Sequence, residues 1–294
     1  MATTSKRSKA LLWRETFVAY LFLAPAMFFF IGFVIVPMGI AIFSSFQHYT
    51  LDTFEFNGLT NYIRMFQDEI FIKAVKNTIT IVGVSVPVVT GFSLWVATVI
   101  NPMKPMTRSV YRCIFYLPVV TGSVAVTVVW KWIFNPYTGL LNSVLGSTGF
   151  NWLGTESTAL WCIILILFTT SVGQPIVLYV AALGNVDREL IEASEVDGAS
   201  NSEVFWHIKW PQMLPTTLYI LVITTINSFQ CFALIQLLTS GGPNNSTQTI
   251  MYYIYYQAYR LGDFGYGNAM GVVLALFIAL FSGLQFSVLK SEKD

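Results

Sequence analysis

The sequence predicts an all-α membrane protein with six transmembrane helices, and two observations lead to this prediction. The 294 residues are 55% hydrophobic and 11% charged, whereas a soluble globular domain carries about 25% charged residues. The chain also contains uncharged apolar runs, and about 20 such residues are enough to cross the hydrocarbon of a bilayer. These runs are continuously apolar rather than alternating, which excludes a transmembrane barrel. With 16 basic against 15 acidic residues, bulk charge does not predict nucleic-acid binding.

Six runs are predicted to span the membrane. They are residues 16–46, 78–100, 113–130, 157–186, 214–238 and 266–289. The uncharged stretch 210–259 is too long for one helix, and we place its break at 239–246, which is rich in Gly, Pro, Asn and Ser. The first run exceeds the apolar core of a signal peptide, which is about 7–15 residues long, so we predict that it is retained as a span.

The distribution of Lys and Arg predicts that both termini are cytoplasmic. Four basic residues lie in the N-terminal tail, 1–15, and others lie between spans two and three and in the C-terminal tail, 290–294. Loops rich in Lys and Arg stay in the cytoplasm. The six-span domain, 16–289, then has an outer segment at 47–77, where two amphipathic stretches predict short helices. These stretches are 59–66 and 71–76.

The middle of each predicted span lacks ionisable side chains. Such residues mark proton relays and sites for charged substrates, so their absence argues against proton coupling, whereas sodium coupling through backbone carbonyls stays open. No Gly-Lys dipeptide of a P-loop occurs. We predict no catalytic residue, no metal site and no cofactor in this chain. We interpret three cysteines as buried hydrophobes and two histidines as loop or interface residues. They are Cys113, Cys162, Cys231, His48 and His207.

The segment 185–213, which six spans place in the cytoplasm, carries six acidic and two basic residues. Acidic residues early in 187–197 favour a helix, and Gly198 suits a left-handed C-terminal cap. The pattern from Ser200 to Glu203 is a capping box that opens a second helix, which we expect to stop near Pro211. We interpret the segment as a helical hairpin that docks into a groove of another protein; a solvated connector with incidental charge is the alternative.

This segment resembles the EAA loop of ABC importer permeases. The matching order is Glu192-Ala193-Ser194, then Gly198, then Ile208-Lys209-Trp210-Pro211, with Ser194 and Trp210 in place of Ala and Leu. Six other stretches resemble the first permease of the carbohydrate importer pairs, of the maltose and glycerol-3-phosphate type. They are 58–62, 115–118, 130–142, 238–243, 247–255 and 265–270.

The resemblance implies a type I ABC importer permease in a bacterial plasma (inner) membrane that imports sugars or oligosaccharides. The implied protein partners are a second homologous permease, two ABC ATPase subunits that bind ATP and Mg, and an extracytoplasmic solute-binding protein. The sugar and membrane lipid are the other implied partners, and nucleic acid is not among them. It also implies an ATPase-coupling role for part of the EAA loop, with Glu192 contacting the ATPase, Gly198 allowing the turn and the last three residues anchoring the hairpin. The coupling residues are Glu192, Ala193, Ser194, Asp197, Gly198, Ile208, Trp210 and Pro211.

Sugars bind to amides, hydroxyls and aromatic faces, so uncharged polar and aromatic side chains within the spans are candidates for the substrate path. They are Gln174, Tyr179, Asn227, Gln230 and Gln236. Hydrogen bonding between helices is the alternative role for each. For the whole chain, three alternatives stay open: half of a secondary transporter, an ABC permease for another solute such as glycerol-3-phosphate or polyamine, and a membrane enzyme.

Overall fold

Apolar runs of this length fold into helices because backbone groups in hydrocarbon have no water to bond and must pair within the segment. The computed structural model describes residues 9–50, 52–147 and 149–291, so the remaining residues of the two predicted tails lie outside the described residues. The elements are, in chain order, α1 (Lys9–Phe30), α2 (Val36–Ser44), β1 (Gln47–Tyr49), β2 (Phe54–Phe56), α3 (Thr60–Gln67), α4 (Glu69–Ile100), α5 (Pro105–Val120), α6 (Ser123–Ile133), α7 (Leu140–Leu145), α8 (Glu156–Ser171), α9 (Gly173–Gly184), α10 (Arg188–Val196), α11 (Asn201–Val204), α12 (Trp210–Phe229), α13 (Ala233–Leu238), α14 (Ile250–Tyr255) and α15 (Phe264–Ser291).

The described helices supply the six predicted spans. Five segments are long and apolar enough to cross a membrane, and the bent pair α5 and α6 makes a sixth if it counts as one span. The five are Glu15–Ser44, Glu69–Ile100, Glu156–Gly184, Asn201–Leu238 and Phe264–Ser287. The predicted helical class and number of spans are therefore confirmed.

The third predicted span, 113–130, was wrong as a single straight helix. α5 ends at Val120, Thr121 and Gly122 have extended backbone, and α6 leaves at an angle of 97°. Pro118 in the last turn of α5 removes one helical donor. The Thr121 hydroxyl donates to the carbonyl of Leu117 at 2.9 Å, which satisfies a group at the break. Hydropathy does not register this bend, because both sides of it are apolar.

The expected end of a helix near Pro211 was also wrong. A π-helical turn at Phe205–Lys209 joins α11 to α12 without interruption, and the Trp210 N–H bonds to the Phe205 carbonyl five residues back. A π turn is wider than an α-helical turn and moves the preceding carbonyls away from the proline ring. The helix can therefore continue through Pro211. A second π turn, Ile31–Ile35, precedes Pro37 in the same way.

The outer segment contains a β-hairpin that the sequence did not predict. β1 and β2 pair antiparallel, with Gln47 opposite Phe56 and Tyr49 opposite Phe54. The predicted helix 59–66 corresponds to α3, whereas 71–76 is not a separate helix but the start of α4. The reason is that no helix-breaking residue separates 76 from the apolar run that follows.

The core of the bundle is built around α4, which packs against α8, α9, α12 and α14. The cluster between α4, α9 and α12 includes Val89, Ile176, Met213 and Ile220. By contrast, the first segment, Glu15–Ser44, buries none of the side chains in its most apolar window. It presents an apolar surface to its surroundings, as a helix in contact with lipid does.

A polar network around Asp68, at the N-terminus of α4, ties α4 to α14 and α15. One carboxylate oxygen accepts from the backbone N–H groups of Ile70 and Phe71, and the other accepts from the hydroxyls of Tyr253 and Tyr266 at 2.7 Å each. Partial burial raises the pKa of Asp68, but these hydrogen bonds outweigh it and hold the pKa below its ordinary value. The carboxylate is therefore the shared acceptor on which three elements converge.

Replacing Asp68→Asn is expected to destabilise the protein, because an amide keeps only one acceptor oxygen. Its nitrogen would face either the two buried tyrosine hydroxyls or the two backbone N–H groups. We expect a loss of about 1–3 kcal/mol and a lower Tm in detergent at pH 7. Since folding lowers the pKa of Asp68, the advantage of the wild type is complete above the unfolded-state pKa and declines as pH falls through the folded one. The control is Asp52→Asn, an exposed carboxylate beside the hairpin. Equal Tm values for wild type and Asp68→Asn would contradict the role of the network.

Candidate functional site

The acidic segment, residues 185–213, folds as a short helix, a tight turn and the beginning of one long helix. The Asp187 carboxylate caps α10 by accepting from the Glu189 N–H at 3.0 Å. At the other end, the N–H groups of Gly198 and Ala199 bond to the carbonyls of Glu195 and Ser194. This pair of bonds is a Schellman motif, so both ends of α10 are fixed by local hydrogen bonds.

Gly198 makes the turn possible because its φ is +84°. A Cβ at this position would meet no atom within 4 Å. The requirement for glycine is therefore one of backbone conformation and not of space. The predicted left-handed cap is confirmed.

The predicted capping box that opens α11 is confirmed as well. The Ser200 hydroxyl accepts from the Glu203 N–H at 3.3 Å, and the Glu203 carboxylate accepts from the Ser200 N–H at 2.7 Å. The two reciprocal bonds fix the angle at which the chain enters the long helix. The turn between α10 and α11 is therefore held from both sides.

The predicted coupling residues differ in exposure. Glu192, Ala193 and Asp197 are exposed, and Ser194 is half-buried, its hydroxyl donating to the Ile191 carbonyl at 2.7 Å. Exposed apolar side chains lie among these acidic ones. The sequence analysis did not single out Leu190 and Val196 on α10, which are 50% and 88% exposed. Trp206, on the second arm of the hairpin, is 56% exposed. The sequence contains a pattern that could have identified Leu190 and Val196, since apolar residues between acidic ones on a short helix indicate a contact surface.

The residues that are buried at the base of this segment differ from the three that were expected to anchor it. Ile208 and Trp210 are half-buried, and Pro211 is exposed. The buried contacts come from Val204 and Met213, at 3% and 0% exposure, on either side of the π turn. The anchoring role of Ile208, Trp210 and Pro211 therefore stays a prediction, and in the described structure the helix turns Pro211 outward.

Two of the predicted path residues share a cavity of about 150 Å³ between α5, α9 and α12. Gln174 and Asn227 line it together with Thr170, Ser171 and Thr224. Each of these polar side chains is uncharged. The cavity can therefore offer amides and hydroxyls to a neutral polar ligand.

Gln230 lines a second cavity of about 440 Å³, which shares Val119 and Thr170 with the first. Tyr179 lines neither cavity and is fully buried in the apolar cluster between α4, α9 and α12. Gln236, half-buried on α13, also lines neither. Of the five predicted path residues, three thus lie at connected cavities and two do not.

Tyr219 lines the first cavity and is 50% exposed, but the sequence analysis did not select it. It lies on α12 in the series Tyr219, Ile223 and Asn227, and α9 presents Gln174 and Leu178 in the same spacing. Residues four apart share a helix face. Tyr219 could therefore have been identified from the sequence, because it lies two steps of four residues before Asn227 on the same helix.

Comparison with known proteins agrees with this architecture. Residues 77–290 match the family described as binding-protein-dependent transport system inner membrane component. The chain is 32% identical to a probable ABC transporter permease protein, YesP, of Bacillus subtilis (strain 168), over 97% of this chain and 94% of that protein. It is 33% identical to the diacetylchitobiose uptake system permease protein NgcF of Streptomyces coelicolor (strain ATCC BAA-471 / A3(2) / M145), over 96% and 85%.

The fold is also similar to that of a solved transporter. The match is to a chain in the crystal structure of a bacterial alginate ABC transporter in complex with an alginate pentasaccharide-bound periplasmic protein. The TM-score is 0.79 at 26% identity, and the match covers 92% of this chain and 93% of that chain.

Gly198→Val should loosen the turn, because a β-branched residue resists the left-handed conformation by roughly 1–2 kcal/mol or more. We expect amide exchange in α10 to become about 5–30-fold faster, as measured by hydrogen–deuterium exchange in detergent. Gly184→Val is the control, since Gly184 ends α9, is not left-handed and has open space around it. Unchanged exchange in α10 of Gly198→Val would refute this account of the turn.

Proposed function

Because the chain belongs to the family of binding-protein-dependent transport system inner membrane components, we propose that it is the permease subunit of an ATP-driven importer of sugars or oligosaccharides. It is a multi-pass membrane protein. In our proposal it forms half of the translocation pathway and pairs with a second, homologous permease. The proposal excludes catalysis by this chain and assigns ATP and Mg to two ATPase subunits.

The continuous helix from the coupling segment to the cavity is the observation that carries this proposal. α11, the π turn and α12 run without interruption from Asn201 to Phe229. The near end adjoins the exposed acidic helix α10, and the far half carries Tyr219 and Asn227 at the cavity. A displacement of α10 by a closing ATPase would therefore move the cavity wall, because the turn between them is held by hydrogen bonds.

In this proposal the ATPase binds the exposed face of α10. Glu192 contacts a basic residue there, and Leu190 and Val196 add an apolar contact. Ala193 and Ser194 are small and allow close approach, while Asp197 and Gly198 form the turn. Ile208 and Trp210 pack at the base of the long helix, where the Trp206 and Trp210 rings lie 5.8 Å apart.

We assign the sugar to the connected cavities at Gln174, Asn227 and Gln230. Their amides, the neighbouring hydroxyls and the exposed ring of Tyr219 are groups that sugars bind, and none of the residues lining these two cavities is charged. The uptake of diacetylchitobiose by NgcF and the alginate pentasaccharide bound to the periplasmic protein of the solved transporter support the same substrate class.

An extracytoplasmic solute-binding protein would deliver the sugar to the side of the hairpin β1–β2, and the ATPases would bind on the side of α10. This orientation places both termini in the cytoplasm. It follows the excess of Lys and Arg on the side of the α4–α5 loop and the beginning of α5, where Lys104, Arg108 and Arg112 lie.

The first test of this function is purification of the complex in mild detergent from the native host, with identification of the accompanying subunits. The proposal predicts an ATPase and a second permease, and ATP hydrolysis that a sugar-loaded binding protein stimulates. A folded monomer or homodimer without an ATPase would instead favour a secondary transporter.

Glu192→Lys should weaken docking of the ATPase, because it reverses the charge at the proposed contact. We expect at least about a tenfold decrease in the amount of ATPase that co-purifies. Glu195→Lys is the matched control, since it reverses an exposed charge on the same helix outside the EAA pattern. Equal recovery of the ATPase with both variants would remove Glu192 from the interface.

Substitution of the cavity amides should impair transport. We expect Gln174→Leu and Asn227→Leu each to raise the sugar concentration for half-maximal uptake about tenfold, the value of one lost hydrogen bond. The measurement is uptake of labelled sugar into proteoliposomes that contain the whole complex. Gln236→Leu, a half-buried glutamine that lines neither cavity, should leave uptake close to that of wild type. The same impairment in all three variants would argue for loss of helix packing instead of loss of a ligand contact.

A further inference from the structure

A basic cavity of about 400 Å³ lies beside the coupling segment, apart from the proposed sugar cavities. Its size falls within the range of about 300–1,000 Å³ typical of small-molecule sites. The α4–α5 loop, the end of α9, α10 and the π turn before α12 surround it. Three cations line it, namely Arg108, Arg188 and Lys209, and none of its lining residues is acidic.

The charges of these three side chains are not neutralised by ion pairs within the described part of the chain. Arg108 is half-buried; one terminal nitrogen donates to the Asn101 carbonyl at 3.3 Å, and its Nε is buried without a hydrogen-bond partner there. Both acids adjacent to Arg188 in the sequence are exposed, and Asp187 directs its carboxylate to the N-terminus of its own helix. A buried donor without an acceptor destabilises the protein unless a ligand supplies one, so the Nε of Arg108 and the three unpaired positive charges favour an anion in this cavity.

The position of the cavity indicates where that anion comes from. It lies where the apolar helices α4 and α9 end, at Ile100 and Gly184, and where α12 begins. The wall also includes four apolar side chains, which are Met103, Leu183, Val186 and Ile191. An anionic phosphate at a membrane surface, attached to an acyl chain, matches both parts of this wall.

We propose that this cavity binds the phosphate headgroup of an anionic phospholipid, with the acyl chains beside α4 and α9. Arg108 and Lys209 bind the phosphate between the spans and the base of the coupling segment, and Arg188 extends the site to α10. The lipid then joins the α4–α5 loop to the element that we assign to ATPase docking. This binding does not depend on what the protein transports, so failure of the sugar assignment would leave it standing.

The test uses the full chain with all co-purifying subunits, delipidated in detergent and titrated with phosphatidylglycerol or phosphatidylcholine under native mass spectrometry. We expect wild type to bind phosphatidylglycerol in preference to phosphatidylcholine. Arg108→Gln and Lys209→Gln should each weaken this binding about fivefold, the effect of one cation near the surface. Arg108→Lys should retain most of it.

Lys104→Gln is the matched control, because Lys104 lies one helical turn before Arg108, is exposed and does not line the cavity. Equal binding by Arg108→Gln and Lys104→Gln, or equal affinity of wild type for the two lipids, would overturn the proposal. Inorganic phosphate is the second probe. If it displaces phosphatidylglycerol at millimolar concentration, the site belongs to free phosphate and the lipid assignment fails. A photo-cross-linker at position 108 that captures an ATPase instead of lipid would overturn it as well.

Discussion

Backbone groups that lie in hydrocarbon find no water, and most of the structure follows from the need to pair them within the protein. Regular helices meet this need, so the places where helices break have to find other partners. Two of these breaks, at Thr121–Gly122 between α5 and α6 and at Gln230–Phe232 between α12 and α13, line the same cavity. Irregular backbone thus occurs where a water-filled pathway can satisfy it, which links the bends of the spans to the site we assign to sugar.

The same need accounts for the stiffness of the long helix. A proline would normally end it at residue 211, and the π turn instead carries the hydrogen-bond ladder past that position. From Asn201 to Phe229 the helix is about 40 Å long at 1.5 Å per residue. Helical continuity lets a small displacement at the end next to α10 appear at the cavity, whereas a loop at Pro211 would absorb the motion. In our proposal, this rod and the fixed turn at Gly198 couple ATP hydrolysis to transport.

Acidic and basic side chains lie on different faces of the coupling segment. Acidic side chains of α10, such as Glu192, are exposed, while the cations Arg108 and Lys209 lie half-buried around the basic cavity. This arrangement is compatible with the cytoplasmic position that we propose for the acidic segment, since acids have little influence on topology and the basic residues lie nearest the ends of the apolar helices. The two faces therefore suit different ligands: a basic surface of an ATPase on one side and an anionic headgroup on the other.

The sequence by itself determined the helical class, the six spans, the capping box at Ser200 and the left-handed turn at Gly198, because each depends on composition or on residues close together in the chain. It also pointed to Gln174, Asn227 and Gln230 through their polarity in an apolar setting. Only the tertiary structure decided that Tyr179 is buried away from the cavity, that Tyr219 faces it and that α5 and α6 meet at 97°. The tertiary structure alone also decided that Arg108, Arg188 and Lys209 lie around one cavity. These features depend on which helix faces meet, and hydropathy, which is similar on all sides of such spans, carries little information about that.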